Sequence, residues 1–370
     1  MIYLNTILAE SKLKLSIPSD IKKIYKLFKK NGKQLFVVGG AVRDAILGKS
    51  PKDFDLATDA KPEEVEAIAK QGGFKTVDVG KSFGVVIVNG HEIATFRKDI
   101  GKGRRPDSVD YTDIQGDVKR RDLTINALFY DMGRGEIVDL VGGIKDLKKK
   151  KIRTVGDPEQ RFDEDPLRKL RAVRFAGSVG GRMTKDTWSA LKKNSDISGV
   201  SAERIRDEFI KGVMKAKKVP NYFKMLKTLG MFKQIFPRLS ILNSNHKTND
   251  YKLQIAYMLM TNGADKVRSK LKSLKYNNQE VHDIWFLIKI MNPREVIDDL
   301  PSIKKLQKNT KLTTSQIKLW ATTMHSDKNI LKIWNWKLSV TSDDAKAEGW
   351  WGKGIGDYMR KKEEELFISS

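Results

Sequence analysis

Asp53 and Asp55 are the pair of residues in this chain whose spacing most directly suggests metal chemistry. In an extended strand, residues two apart project from one face. Two carboxylates placed that way share hard, oxygen-liganded cations such as magnesium, while the intervening Phe54 points into the core. Alone, an Asp-x-Asp pair is an ordinary acidic turn, so its surroundings decide. One helix and one short loop upstream stand Gly39 and Gly40, with Arg43 soon after. A strand, two glycines and a helix start make room for phosphate, because the backbone can approach closely and the first helical N–H groups are unpaired. Arg43 adds a charged donor on the first turn.

Two later segments carry further candidates. Arg121 and Asp122 precede a short helical stretch, with Asn126 one turn on. Arg121 can reach the triphosphate or ribose of a bound nucleotide. Asp122 either accepts a hydrogen bond from a ribose hydroxyl, serves as a third carboxylate, or simply caps the helix. Farther along, Asp165, Arg168, Arg171 and Arg174 recur every third residue. On a helix each step turns the direction by about 60°. The first three can therefore share a cleft, and Arg174 points farthest from it. Asp165 and Arg168 offer acceptors and donors in a plane, the requirement for reading a base edge.

Several elements must position these groups. Ser19–Lys30 has apolar residues at helical spacing, with Ser19 or Asp20 as the cap. Leu35–Val38 reads as a buried strand, Ala41–Leu47 as a helix closed by Gly48, and Phe54–Ala57 as a second strand that can lie beside the first. Pro62–Lys70 reads as a helix whose proline and glutamates suit its start. Val85–Val88 and Glu92–Phe96 form a hairpin across Asn89-Gly90. Gly101–Asp117 reads as a loop, Leu123–Leu128 as helical and Ile137–Leu140 as a strand. Beyond Asp157 no strand pattern is evident, so an α/β region precedes an all-helical one.

Composition narrows the class. The 370 residues suffice for two or more compact domains. There is no cysteine, which excludes disulfides and cysteine-ligated zinc. Lys+Arg total 71 against Asp+Glu 46, a formal charge of +25 that favours a polyanionic partner. No apolar stretch resembles a signal peptide core or spans a bilayer. The expectation is a cytoplasmic protein without a membrane partner.

Taken in order, Val37-Val38-Gly39-Gly40-Ala41-Val42-Arg43-Asp44, Lys52-Asp53-Phe54-Asp55, Arg120 to Ala127, and Arg161 through Phe175 resemble the class II tRNA nucleotidyltransferase (CCA-adding enzyme) and bacterial poly(A) polymerase family. Val138-Asp139-Leu140-Val141-Gly142-Gly143 is similar to the family's link between these motifs. The similarity covers roughly residues 33 to 180 and fades beyond. Four motifs in order make chance resemblance improbable.

The resemblance implies a polymerase-β-like nucleotidyltransferase head over 1–145, a helical neck with base recognition over 146–215, and a helical body and tail binding RNA over 216–370. It implies template-independent addition of CCA to tRNA from CTP and ATP. Asp53 and Asp55 become the Mg2+ ligands and catalytic carboxylates. Gly40, Arg43, Arg121, Asp122, Asp165, Arg168, Arg171 and Arg174 become the nucleotide-binding set, with Asp165 and Arg168 reading CTP or ATP. The stretch Lys98 to Pro106 is shorter and more basic than in many CCA-adding members, in which the resemblance links this loop to switching from C to A.

Other readings stay open. Poly(A) polymerase shares the four motifs, although Arg104-Arg105-Pro106-Asp107-Ser108-Val109 looks more like the CCA-adding branch; CC-only or A-only addition is a further outcome. A non-catalytic RNA-binding protein is the remote alternative, against which the intact carboxylate pair argues. His282-Asp283 forms an HD dipeptide, but with four histidines in the chain a helix surface is the simpler explanation. The tryptophans Trp334, Trp336, Trp350 and Trp351 serve either packing or base stacking.

Overall fold

The computed structural model describes residues 15–101, 108–242, 246–291, 296, 299–325 and 327–370. The chain divides into two compact units, 1–199 and 200–370.

The first unit is built on a seven-stranded mixed sheet. Its strands are β1 (Leu35–Val38), β2 (Asp55–Thr58), β3 (Thr76–Gly80), β4 (Val85–Val88), β5 (His91–Thr95), β8 (Leu128–Asp131) and β9 (Glu136–Asp139). Their spatial order is β3-β4-β5-β2-β1-β8-β9. β1 lies near the centre, antiparallel to both β2 and β8, while β2 pairs parallel to β5. The apolar run of β1 is explained by burial on both faces. Leu35 and Val37 join one core with residues of helices α1 (Ser19–Lys30), α2 (Gly40–Ile46) and α3 (Pro62–Gln71). Phe36 and Val38 join a second core with Phe96, Phe129 and Val118. Rings of Phe36, Phe96 and Phe129 sit 6.1 to 6.2 Å apart there.

The remaining elements of this unit are a ribbon of β6 (Arg97–Ile100) with β7 (Ser108–Tyr111), then α4 (Ile114–Arg120), α5 (Gly143–Lys148), β10 (Lys151–Ile152), α6 (Pro158–Glu164), α7 (Leu167–Val179), β11 (Arg182–Met183) and α8 (Lys185–Lys193). The second unit is helical among its described residues. It contains α9 (Ala202–Lys215), α10 (Val219–Thr228), α11 (Met231–Ile235), α12 (Tyr251–Leu259), α13 (Ala264–Ser273), α14 (Asn278–Lys289) and further helices beyond. Phe209, Phe223, Phe232 and Phe236 form an aromatic cluster in its core. The α/β head followed by a mainly helical remainder is the expected fold class. No helix of the described residues is long and apolar enough to cross a membrane.

Several local expectations change. Leu123–Leu128 is not one helix: a 3-10 turn over Thr124–Asn126 leads into strand β8. A short apolar run suits a buried strand as well as a helix, and here pairing with β1 decides. Within 101–117, the described residues 108–117 form a strand and a helix start rather than a plain loop. Ser108–Tyr111 pairs with Arg97–Ile100, and Asp113 caps α4 by accepting from the Gly116 N–H at 2.9 Å. Arg104, Arg105, Pro106 and Asp107 lie outside the described residues. One strand does occur after Asp157: β11, two residues long, pairs with β10. Helix α1 begins after Pro18 without a side-chain cap. The Asp20 carboxylate instead accepts a hydrogen bond from Asn89 at 3.1 Å and bonds His91 at 2.8 Å, tying α1 to the β4–β5 hairpin.

Candidate active site

The centre of the site is fixed by strand register. Val38, the last residue of β1, lies opposite Asp55, the first residue of β2. Past Val38 the chain turns at Gly39, whose φ of 67° and ψ of −117° suit only glycine. Its N–H donates to the Leu128 carbonyl at 3.0 Å. Gly40 then opens α2. Turn, helix start and Asp55 therefore meet at one edge of the central strand pair. Phe54 and Leu56 are buried in the core shared with α1, α2 and α3. By alternation Asp55 falls on the opposite face, with Ala57.

Asp53 and Asp55 are both exposed, and neither side chain has a hydrogen bond or ion pair within the described residues. The Asp55 carboxyl is raised above its ordinary value. Although the residue as a whole is exposed, its carboxyl is crowded by the surrounding protein, and this partial loss of water is the first cause; the Arg121 charge opposes it and the Asp53 charge adds to it. Two unneutralised carboxylates that repel one another are a site that a divalent cation would satisfy. No group of three or more His, Asp or Glu suited to a metal occurs among the described residues. Magnesium does not require one, since it takes one or two carboxylates and completes its shell with water and substrate phosphates. The donor set fits magnesium.

Around this edge the arginines are held in fixed directions. Arg43 donates through Nε and Nη2 to Asp44 at 3.0 and 2.9 Å, and through Nη1 to Asn126 Oδ1 at 2.6 Å. A guanidinium has five N–H donors, so two remain beyond these bonds. Arg120 and Arg121 are both clamped by Asp117, at 2.7 and 2.8 Å. Asp117 is fully buried; burial alone would raise its carboxyl, but the charges and hydrogen bonds of Arg121 and Arg120 hold it lowered. The Arg121 guanidinium also lies over Phe129 at 4.6 Å and beside Gly39.

Asp122 is not free to act as a third metal ligand. It is buried, and its Oδ2 accepts from Arg171 Nε at 2.7 Å, while Oδ1 accepts from Asn126 and the Leu123 N–H. Burial pushes its carboxyl up, but Arg171, Asn126 and Leu123 outweigh that and lower it to about 2.

The repeat on α7 separates. Arg168 turns toward α6 and α4, donating to the Glu164 carboxylate at 2.6 Å and to the Arg161 and Arg120 carbonyls at 3.2 and 2.9 Å. With Lys98, Lys119, Arg120 and Arg161 it lines a cationic cleft. Asp165 is buried and accepts from the Leu167 N–H at 3.1 Å. Arg171 goes to Asp122 instead. Arg174 is buried over the Phe175 ring at 3.9 Å, where Arg43 and Arg171 also approach at 5.0 and 5.6 Å. The structure thus groups Arg174 with Arg43 and Arg171, and sets Arg168 apart from Arg171. Rotation by helix angle ignores the reach of an arginine, and this is why the angular reading misplaced Arg174.

Sequence reading missed Asp44, Asp117 and the cation–π role of Phe175. Asp117 sits three and four residues before Arg120 and Arg121, a helical ion-pair spacing that signals the clamp. The HD dipeptide has structural partners: Asp283 is fully buried and takes Lys252 at 2.7 Å, and His282 bonds the Leu306 carbonyl at 3.0 Å. Trp336 donates to buried Glu363, whereas Trp350 and Trp351 are exposed.

The chain is similar to known proteins over most of its length. Residues 35–153 match the family described as "Poly A polymerase head domain", and residues 182–242 match "Probable RNA and SrmB- binding site of polymerase A". The CCA-adding enzyme of Ligilactobacillus salivarius is 44% identical over 207 residues, 53% of this chain and 50% of that protein. For this and similar relatives the match spans about half of their length. The CCA-adding enzyme of Staphylococcus aureus is 32% identical over 342 residues, covering 90% of this chain and 78% of the relative. Among solved structures, the Bacillus stearothermophilus CCA-adding enzyme in complex with CTP superposes with a TM-score of 0.69 at 25% identity, over 95% of this chain and 94% of that one. The Thermotoga maritima CCA-adding enzyme complexed with tRNA, 20% identical, shares the fold with a TM-score of 0.65 over 97% and 94% of the two chains. On the length and identity of the Staphylococcus aureus match, this chain belongs to the CCA-adding enzyme family.

Proposed function

We propose that this protein adds CCA to the 3′ end of tRNA, using CTP and ATP and no nucleic-acid template, in the cytoplasm where its substrates are found. The observation that carries the reading is the Val38–Asp55 register, which sets the carboxylate pair beside the Gly39 turn and its arginines. The 3′ oxygen of the RNA attacks the nucleotide α-phosphorus; the bond to the bridging oxygen breaks and pyrophosphate leaves. Asp53 and Asp55 would hold magnesium, which when bound makes the 3′ hydroxyl more acidic and offsets charge on the leaving pyrophosphate. Gly40 leaves room at the start of α2 for the triphosphate, and Arg43 and Arg121 neutralise it from directions already fixed by Asp44, Asn126 and Asp117. Arg171 and Arg174 flank the same place on α7. Asp122, occupied by Arg171 and Asn126, aims its neighbours rather than binding metal. Asp165 and Arg168 select cytosine or adenine, Arg168 from the cleft that it lines with Lys98, Lys119, Arg120 and Arg161.

RNA is the partner of the helical regions. No Asp or Glu occurs between Glu208 and Asp250, while Lys224 and Lys227 stand exposed one turn apart on α10. Such an acid-free basic face suits a phosphate backbone.

The competing reading is poly(A) polymerase, favoured by the description of the family that matches the head. Labelled CTP and ATP supplied with tRNA lacking its 3′ CCA separate the two. CCA addition gives two C followed by one A and then stops. A ladder of A, or termination after C alone, would replace this reading with the corresponding alternative.

A further inference from the structure

Asn126 touches three of the residues to which nucleotide binding is assigned above. Its Oδ1 accepts from Arg43 Nη1 at 2.6 Å, its Nδ2 donates to Asp122 Oδ1 at 3.2 Å, and its backbone carbonyl accepts from Arg121 Nη1 at 3.4 Å. Asp122 continues the chain to Arg171 at 2.7 Å. The side chain is buried. The amide orientation is forced by chemistry: arginine can only donate, and an Asp122 ionised down to about pH 2 can only accept. A residue at this place must accept at one end and donate at the other. A carboxylate would face Asp122 with like charge, and an aliphatic side chain would leave both partners unmet.

We propose that Asn126 is a positioning residue for nucleotidyl transfer, setting Arg43 on α2 and, through Asp122, Arg171 on α7 as one unit around the incoming nucleotide. The proposal rests on the reading that Arg43 binds the triphosphate. Asn126 does not meet the nucleotide itself. Its carboxamide restricts the Arg43 fork, whose other edge is held by Asp44 and whose face is held by Phe175. It acts on both CTP and ATP, because triphosphate placement is common to them, and leaves base choice to other residues.

The test compares Asn126→Ala, Asn126→Asp, Asp122→Asn, the double variant Asp122→Asn/Asn126→Asp, and Arg43→Ala. KM and kcat are measured for CTP and for ATP, with tRNA affinity and melting temperature recorded for each. Asn126→Ala is expected to lower kcat/KM for both nucleotides by about tenfold to a hundredfold, with tRNA affinity changed less than about twofold. Asn126→Asp is expected to be at least as impaired, because two carboxylates then meet. The double variant restores one carboxylate and one carboxamide with their order reversed. The carboxylate introduced at position 126 accepts from Arg43, while the carboxamide introduced at position 122 donates to that carboxylate and accepts from Arg171; the Leu123 N–H loses its acceptor, so the expected recovery is partial. Recovery of kcat/KM in the double variant above Asn126→Asp alone supports positioning, and it can be read even if Asn126→Ala does not fold. Normal kcat/KM in a folded Asn126→Ala, or a double variant no better than Asn126→Asp, overturns the proposal. If Arg43→Ala lowers kcat/KM while a folded Asn126→Ala does not, positioning falls and the triphosphate assignment stands. If Arg43→Ala leaves kcat/KM unchanged, the assignment falls and takes the proposal with it.

Discussion

The Asp122 carboxylate accepts a hydrogen bond from Arg171 Nε at 2.7 Å, joining the segment before β8 to helix α7. This pair is buried on the aspartate side and about one-third exposed on the arginine side. It has a pH signature. The folded carboxyl is lowered to about 2 from an ordinary 3.8. A lowered carboxylate contributes stability that is present above the unfolded value and lost as pH falls through the folded one. The difference corresponds to about 2 kcal/mol. Urea unfolding of Asp122→Asn against the wild type is expected to show that gap at pH 6, with narrowing below pH 4 toward pH 2. A gap independent of pH would place the stabilisation elsewhere.

Gly39 adopts a backbone conformation that a Cβ strains, whatever the surrounding space. Gly39→Ala is expected to cost about 1 to 3 kcal/mol and to depress turnover, because the turn sets the start of α2. Thermal melting and steady-state kinetics check both. A variant with unchanged melting temperature would mean that the turn relaxes freely.

Asp165 and Arg168 are assigned to the base. Changes at either should alter the ratio of CTP to ATP incorporation more than they alter tRNA affinity. Arg168→Lys is informative, since a point charge cannot reproduce the bonds to Glu164, Arg161 and Arg120. Unchanged nucleotide selectivity in variants of both residues would remove them from base recognition.

Lys224 and Lys227 test the basic face of α10. Replacing both with glutamine should weaken tRNA binding and reduce the slope of log affinity against log salt by about 1 to 2. Nucleotide KM should stay put. An unaltered slope would show that the RNA backbone does not meet this helix.

Much of the head was legible in the sequence. β1, α1, α2, α3 and the β4–β5 hairpin fall where apolar period, glycine and Asn-Gly signals place them. The juxtaposition of Gly39 and Asp55 followed from one helix and one loop between two strands. What failed to show was anything decided by distant pairing. Leu128–Asp131 is a strand because β1 lies beside it, and Ser108–Tyr111 because Arg97–Ile100 does. The site was legible as residue types but not as partners. Asp122 offers one carboxylate to a ribose, a metal or an arginine with equal plausibility until Arg171 is seen against it, forty-nine positions away. Arg174 likewise meets Arg43 over the Phe175 ring, a contact that no local pattern encodes.

Asp53 and Asp55 are proposed to carry the transfer. Single-turnover incorporation of CMP into tRNA lacking its CCA end, measured with Asp53→Asn and Asp55→Asn in saturating magnesium beside tRNA-binding titrations, tests it directly. The expected result is a loss of at least about a thousandfold, roughly 4 kcal/mol of barrier, with tRNA affinity nearly unchanged. Near-normal incorporation by either variant would contradict it.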